Sequence, residues 1–276
     1  MTIAQPRPIE LTACPVVSHE RINARYRLLV LRSQSIADAA RPGQFIMLRT
    51  SDGRDPLLSR PFAIFDADPD HGVFSVLYIV VGRGTRLLEQ RSDGELFVAG
   101  PLGRGFKFFN DASRHIAIGG GSGLAAVYSF VKRKSGLKPT DSLEFIIGAR
   151  DSDGLLPADM TAPLRVPIAL STDDGSTGFK GTAIDLLEKT LGDAPSGSTP
   201  ALYVAGPEPM MRAAARFAKE RNIRCAVSLG NRMACGFGVC RGCVCKSKSP
   251  DPISGLQNKS VCADGPVFDI RDIDFE

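Results

Sequence analysis

The strongest constraint on how this chain can fold is a set of four cysteines near its C-terminus. Cys235, Cys240, Cys243 and Cys262 stand in C-x4-C-x2-C-x18-C spacing. Four thiolates can hold a [2Fe–2S] cluster, and C-x4-C-x2-C with a distant fourth Cys is the plant-type ferredoxin spacing. The loop carrying the first three must wrap an inorganic core closely. Gly236, Gly238 and Gly242 supply small, permissive residues between them. A cluster of this kind moves single electrons, and on this reading so does the protein.

Other uses of cysteine compete with that reading. Seven cysteines are enough for disulfides, but the opening MTIAQPRPIELT is polar, bears prolines and has no apolar core of a secretory leader. No apolar run reaches the roughly 18 residues of a membrane span. A cytoplasmic chain keeps its thiols reduced, so its clustered cysteines are expected to bind metal. Zinc is the next rival. Structural zinc sites usually pair ligands as C-x2-C twice, and here only Cys240 and Cys243 have that spacing. Cys245 breaks the pattern and reads as a non-ligand. Cys14 and Cys225 sit in apolar surroundings and read as core residues.

A chain of 276 residues is long enough for two domains with a small appendage. The net charge of +4 is mild. The densest basic stretches, VKRKSGLK and RFAKERNIR, read as solvated helix ends. With no Trp and few aromatics, a base-stacking surface is not expected, nor is a nucleic-acid partner.

Residues 1–110 read as β. ELTACPVVSHE, YRLLVLRS, GQFIMLRT, RPFAIFDA, GVFSVLYIVV and ELFVAGPLG are short β-branched or alternating segments between turn residues. That spacing predicts a small antiparallel barrel. From residue 111 the pattern changes. HIAI, SLEFIIGAR, VPIALS, ALYVAG and CAVSL read as strands. GLAAVYSFVKRK, GTAIDLLEKTL and MMRAAARFAKERN read as helices. Alternating apolar strands and helices predict a parallel sheet covered on both faces over 111–225. Residues 226–276 are too few for a core of their own, and a cluster would supply much of their stability.

GGGSGLAA follows the strand HIAI and opens a helix. Gly119, Gly121 and Gly123 at that turn would let backbone approach a pyrophosphate at a helix N-terminus. The spacing is not G-x-G-x-x-G throughout, and packing alone also produces strand–Gly–helix turns. No acidic residue clearly ends the second strand; Arg150 lies there with Asp151 and Asp153. The choice between NAD and NADP stays open.

RPFAIF, VGRGT, GPLGRGF, GGGSGLA and VAGPEPMM occur in one order. That order resembles the ferredoxin–NADP reductase superfamily. With RMACGFGVCRGCVC and CADGPVF, the chain resembles, over nearly its whole length, the electron-transfer subunits of heteromeric, NAD-linked dihydroorotate dehydrogenase. The resemblance implies a flavin-binding β-barrel, a Rossmann-like nucleotide-binding α/β domain and a C-terminal [2Fe–2S] segment. It implies that Arg60, Pro61, Phe62 and Ala63 run beside FAD, with Arg60 offering its planar fork of donors to a phosphate. Ala63 departs from the family's Ser or Thr and leaves only backbone for that flavin contact. Leu77, Tyr78 and Ile79 are implied against the flavin and adenine portions, and Gly84 and Thr85 at the pyrophosphate. Tyr78 equally fits an ordinary strand aromatic. Gly206 and Pro207 are implied near the nicotinamide, but Ala205 stands where the family carries Cys.

The family's activity is an electron relay: two electrons pass between NAD(H) and FAD, and single electrons pass through [2Fe–2S] to an FMN-bearing, dihydroorotate-oxidising partner in pyrimidine synthesis. A heterotetramer is implied. The cofactors carry the chemistry and the protein positions them. His19, His71 and His115 show no catalytic spacing. The rivals are the FAD/[2Fe–2S] subunit of an NADH-dependent ferredoxin:NADP reductase or sulfide dehydrogenase, the corresponding subunit of a soluble hydrogenase, and a non-catalytic iron–sulfur sensor. The sensor would not need RPFAIF together with VGRGT.

Overall fold

The computed structural model describes residues 9, 11–134, 136–192, 198–250 and 255–274. Most of the opening segment that was read as lacking a leader lies outside the described residues. The N-terminal portion holds β1 (Leu11–Arg21), β2 (Tyr26–Arg32), α1 (Gln34–Ala39), β3 (Phe45–Leu48), β4 (Arg60–Ala63), β5 (Asp66–Asp68), β6 (Val73–Ile79), α2 (Arg83–Glu89) and β7 (Glu95–Leu102). Its strands form one antiparallel sheet in the order β4-β3-β7-β1-β2-β6-β5.

The expected strand RPFAIFDA is two strands. β4 pairs with β3 and β5 pairs with β6, at opposite edges of the sheet. Only Ile64 and Phe65 join those edges. The Ile64 amide donates to the Gln44 carbonyl and the Phe65 amide to the Ser75 carbonyl, so this dipeptide curls the sheet towards closure and leaves no long free edge there. Period-two alternation then fills the interior with Cys14, Leu29, Leu31, Ile46, Leu48, Phe74, Val76, Leu96 and Val98. Cys14 is fully buried, as its apolar surroundings predict.

The second sheet is built from β8 (Arg114–Gly120), α3 (Leu124–Arg133), β9 (Ser142–Ala149), α4 (Ala158–Thr161), β10 (Ile168–Thr172), β11 (Phe179–Lys180), α5 (Ala183–Gly192), β12 (Pro200–Ala205), α6 (Glu208–Glu220) and β13 (Arg224–Ser228). The order β11-β10-β9-β8-β12-β13 is parallel throughout. Alternation sorts the helices onto two faces. Ile116, Ile118, Leu202 and Val204 pack with α5 and α6. Ala117, Ile147 and Tyr203 pack with α3. A parallel sheet buried on both faces explains why its strands read as near-continuous apolar runs.

β14 (Val244–Lys246), β15 (Asn258–Ser260), α7 (Val261–Asp264) and β16 (Val267–Asp269) follow. The sequence reading drew a boundary between residues 225 and 226, but β13 runs straight through it. β16 returns to pair antiparallel with β13 as the seventh strand of the sheet. The C-terminal portion therefore borrows a core: Cys243, Val261, Cys262, Phe268 and Ile273 are buried with α5 and α6 residues.

His115 is fully buried at the start of β8. Its Nδ1 lies 3.0 Å from the Tyr203 hydroxyl and its Nε2 lies 3.4 Å from Asp141 Oδ2. Burial lowers its pKa, and the Asp141 carboxylate only partly offsets that. A depressed histidine pKa means the unfolded chain binds the extra proton. Stability is then full above the unfolded value of about 6.5 and falls as pH drops through it. Urea unfolding between pH 7.5 and 5.5 is expected to show this loss, with a shallower pH slope in His115→Gln. An unchanged slope contradicts the assignment.

Candidate active site

One large cavity, about 1250 Å³, lies where the barrel, the parallel sheet and the C-terminal portion meet. Arg60, Pro61, Phe62, Ala63, Leu77, Tyr78, Ile79, Gly84, Thr85, Gly123, Gly206 and Pro207 all line it. Gly119 and Gly121 do not. Gly119 is buried in β8, where an added Cβ would meet Leu124 Cδ1 at 2.9 Å, so helix packing is what requires glycine there. Gly121 has φ +52, and its carbonyl lies 3.2 Å from the Tyr26 hydroxyl, which ties barrel to glycine turn. Gly123 is closer still to backbone: a Cβ would sit 2.3 Å from the Gly206 amide nitrogen. The two expected nucleotide turns thus pack directly on each other at the end of the parallel sheet, the usual place for a ligand in an open α/β sheet.

Three expected side-chain contacts are different in kind. Phe62 and Tyr78 lie in the barrel interior with their rings edge to face, 5.6 Å apart. The Tyr78 hydroxyl lies 2.9 Å from His19 Nε2. Alternation explains this, because Leu77 and Ile79 face the parallel sheet and Tyr78, between them, cannot. The ordinary-aromatic reading of Tyr78 is the one the geometry favours. The Thr85 hydroxyl is engaged in its own turn: it accepts from the Val81 and Gly82 amides at 2.9 and 3.0 Å and lies 3.0 Å from the Gly82 carbonyl, to which it donates. It shapes the turn before α2 and holds no free proton for a ligand.

Sequence reasoning missed Thr50. Its residue is 2% exposed and its Oγ1 has no hydrogen-bond partner. It sits beside Gly84 and Arg60: a Cβ on Gly84 would meet Arg60 Nε at 2.9 Å and Thr50 Oγ1 at 3.3 Å. A buried orphan hydroxyl next to a guanidinium is a costly arrangement without a partner. Arg60, Arg83, Arg212, Arg232 and Lys246 line the cavity against only Glu208 and Asp274, a balance that suits a polyanionic dinucleotide. The orphan hydroxyl, the glycine at Gly84 and this charge balance fit FAD.

The far wall was also not legible. Asn231, Met233, Val244, Cys245, Lys246 and Ile273 line the same cavity. Cys245 is a half-buried wall residue whose thiol is pushed up by burial. Two residues away, Cys243 is buried among the thiols read as cluster ligands.

Those thiols fall into two pairs. The Cys240 amide approaches Cys235 Sγ at 3.5 Å, and the Cys262 amide approaches Cys243 Sγ at 3.4 Å. The Gly238 amide donates to Cys262 Sγ at 3.1 Å and the Gly242 amide to Cys240 Sγ at 3.4 Å. Amide–sulfur bonds of this sort tune a cluster's potential. Burial raises the Cys235 thiol, but the amides of Cys240, Phe237 and Val239 outweigh it and bring it down to about 6. Burial and the neighbouring Cys243 push Cys262 up to about 12. Two thiol pairs are what a two-iron cluster needs, so the set fits [2Fe–2S].

The glycines between them are not equivalent. Gly236 and Gly238 have φ +85 and +92, and a Cβ on Gly236 would meet Met47 Cγ at 2.3 Å. Gly242 has no such φ; Arg241, at φ +53, takes the left-handed position instead.

Comparison with known proteins agrees with this geometry. Residues 230–274 match the family model described as the iron–sulfur cluster binding domain of dihydroorotate dehydrogenase B. The dihydroorotate dehydrogenase B (NAD(+)) electron transfer subunit of Desulforamulus reducens is 36% identical over 84% of this chain and 86% of its own length. That of Bacillus mycoides is 35% identical over 94% and 96%. The chain belongs to this family of electron transfer subunits. In fold it is similar to an NADH-dependent reduced ferredoxin-NADP oxidoreductase, with TM-score 0.80 and 28% identity over 96% of this chain and 90% of that one. The ferredoxin reductase of carbazole 1,9a-dioxygenase shares the fold at TM-score 0.65 and 21% identity, over 79% of this chain and 68% of that one. The family member described here is thus an oxidoreductase subunit with a ferredoxin–NADP reductase-like fold, and no helix among its described residues is long and apolar enough to cross a membrane.

Adding Cβ at Gly236 combines overpacking with a left-handed backbone, at about 1–3 kcal/mol. Gly236→Ala is therefore expected to lose bound iron and sulfide, whereas Gly242→Ala, whose Cβ makes only a 3.5 Å contact with Cys240 Sγ, keeps them. Equal iron content in the two variants contradicts this account of the loop.

Proposed function

We propose that this chain relays electrons between NAD(H) and a dihydroorotate-oxidising catalytic subunit in pyrimidine synthesis. The observation that carries the reading is that the thiol set has two ends. Cys243 and Cys262 are buried, and Cys243 is joined through Val244 to Cys245 on the cavity wall. Cys240 is exposed, in a loop with the exposed apolar residues Phe237 and Val239. One end thus lies buried next to the segment that forms the cavity wall and the other faces outwards, which is what a relay to a second protein needs. Bound FAD supplies the exchange between two-electron and one-electron transfer, and a [2Fe–2S] cluster supplies the single-electron hand-off.

The residues take these roles in the proposal. Arg60 and the Gly84 turn, braced by Thr50, hold the FAD phosphates. Backbone at Pro61, Phe62, Ala63 and Tyr78 lies along FAD, with the Leu77 and Ile79 side chains. Gly123, Gly206 and Pro207 receive the nicotinamide dinucleotide, and the 1% exposed Ala205 gives it an apolar contact with no thiol. Gly119 and Gly121 shape that turn from behind, and Thr85 shapes the turn at Gly84. Cys235, Cys240, Cys243 and Cys262 hold the cluster. The division into 1–110, 111–225 and 226–276 is one of task rather than of separately packed bodies. The FMN of the partner, a heterotetrameric assembly and a cytoplasmic location belong to the same proposal.

A second reading, an NADH-dependent ferredoxin:NADP reductase subunit, draws on the fold likeness at TM-score 0.80. Identity of 31–36% over 84–97% of the chain with dihydroorotate dehydrogenase electron transfer subunits favours the first.

Affinity capture of the native partner tests the proposal. A dihydroorotate-oxidising flavoprotein is expected, and a ferredoxin-dependent enzyme would overturn it. In the assembled complex, Cys240→Ser is expected to slow electron delivery between the two subunits by at least about a hundredfold, while NADH still bleaches the flavin. Full turnover in that variant contradicts the ligand assignment.

A further inference from the structure

The face of the barrel sheet that meets the flavin cavity does not stop there. Met47 pairs with Pro61 and Phe45 with Ala63, so all four side chains share one face of β3 and β4. Ala99 of β7 pairs with Met47, and Leu11 of β1 pairs with Ala99. The next row of the same face holds Phe97, which pairs with Ala13. The cluster loop covers the middle of this face, because Gly236 lies against Met47 and Leu102. Beyond that cover the face is open and apolar among the described residues: Leu11 is 61% exposed and Phe97 40%. The opposite face of the same strands fills the barrel with Cys14, Leu96 and Val98. With Leu11, Ala13, Phe97 and Ala99 on one side and Cys14, Leu96 and Val98 on the other, this part of β1 and β7 is thus apolar on both faces, where a half-solvated antiparallel sheet normally alternates apolar and polar.

We propose that this outer face of β1 and β7 is the second half of the surface on which the catalytic subunit docks. The inference rests on the relay reading, which places that subunit at the exposed end of the cluster loop. Continuity selects the occupant. Phe237 and Val239 follow Gly236 in the loop that sits on Met47, so the apolar surface runs from the cluster rim across Ala99 to Leu11, Ala13 and Phe97. Area argues the same way. A stable interface buries about 800 Å² on each partner, with roughly 20–30 residues a side, and the rim of one short loop falls far below that. Large contiguous apolar surface on a soluble chain marks an interaction site. Arg49 follows β3 beside Phe97, and Glu95 begins β7 opposite Pro15; they give the patch the polar border that interfaces show.

The test uses the full-length chain, loaded with flavin and cluster, titrated with the catalytic subunit by calorimetry. Phe97→Glu and, separately, Leu11→Glu are each expected to weaken binding at least about tenfold, with an unchanged visible spectrum and unchanged bleaching of the flavin by NADH. Val239→Glu at the cluster rim serves as the reference. If Val239→Glu weakens binding and both sheet variants bind normally, the inference is overturned and the relay reading stands. If Val239→Glu binds normally, docking at the cluster rim fails and the inference falls with it. If the free chain self-associates and Phe97→Glu abolishes that while the catalytic subunit still binds, the face joins two copies of this chain, which also overturns the inference.

Discussion

Everything at the site depends on how the C-terminal portion is anchored. β16 pairs with β13 through Ala226–Asp269, Val227–Phe268 and Ser228–Val267. The Arg104 amide, just after the barrel, donates to the Gly265 carbonyl at 2.5 Å. Gly236 rests on Met47 of β3. Three short segments with no core of their own are thereby fixed to both sheets at once. The cavity wall carrying Met233, Cys245 and Ile273 and the thiol pair Cys243/Cys262 are then held by the same few contacts. The segment that would hold a cluster is placed against the cavity by backbone pairing rather than by a flexible tether.

Charge is distributed to match. The cavity is lined by more cations than carboxylates, and its buried glycine contacts exclude side chains where backbone must come close. Backbone amide N–H groups approach all four thiol sulfurs of the set: those of Cys235, Cys240, Cys243 and Cys262 each receive one. That arrangement favours a negatively charged sulfur set, which suits a centre whose charge changes by one on each transfer.

Much of this was legible in the residues themselves. The change from short alternating segments to strand–helix repeats near residue 111 follows from the different burial of an antiparallel barrel and a doubly covered parallel sheet. The cysteine spacing pointed to two irons because it is a property of one loop and one later residue. Motif order then brought together residues that are far apart in sequence, such as Arg60 and Gly206, on one cavity. What could not be read was anything that depends on the third dimension alone. Thr50 has no motif, and only its buried, unpartnered hydroxyl marks it. Phe62 and Tyr78 fall in the expected segments, but alternation turns their rings inward. Arg241 takes the left-handed backbone position that composition assigned to Gly242. The antiparallel return of VFD to β13 gives no signal in a three-residue strand.

The most direct measurement is an anaerobic NADH titration of the purified chain, followed by visible absorbance and by electron paramagnetic resonance. The account predicts that the flavin band bleaches and that the signal of a reduced [2Fe–2S] cluster rises with it, because the buried thiol Cys243 lies two residues from Cys245 on the wall of the same cavity. A flavin band that bleaches with no cluster signal at any NADH excess, or a cluster with no flavin, would contradict it.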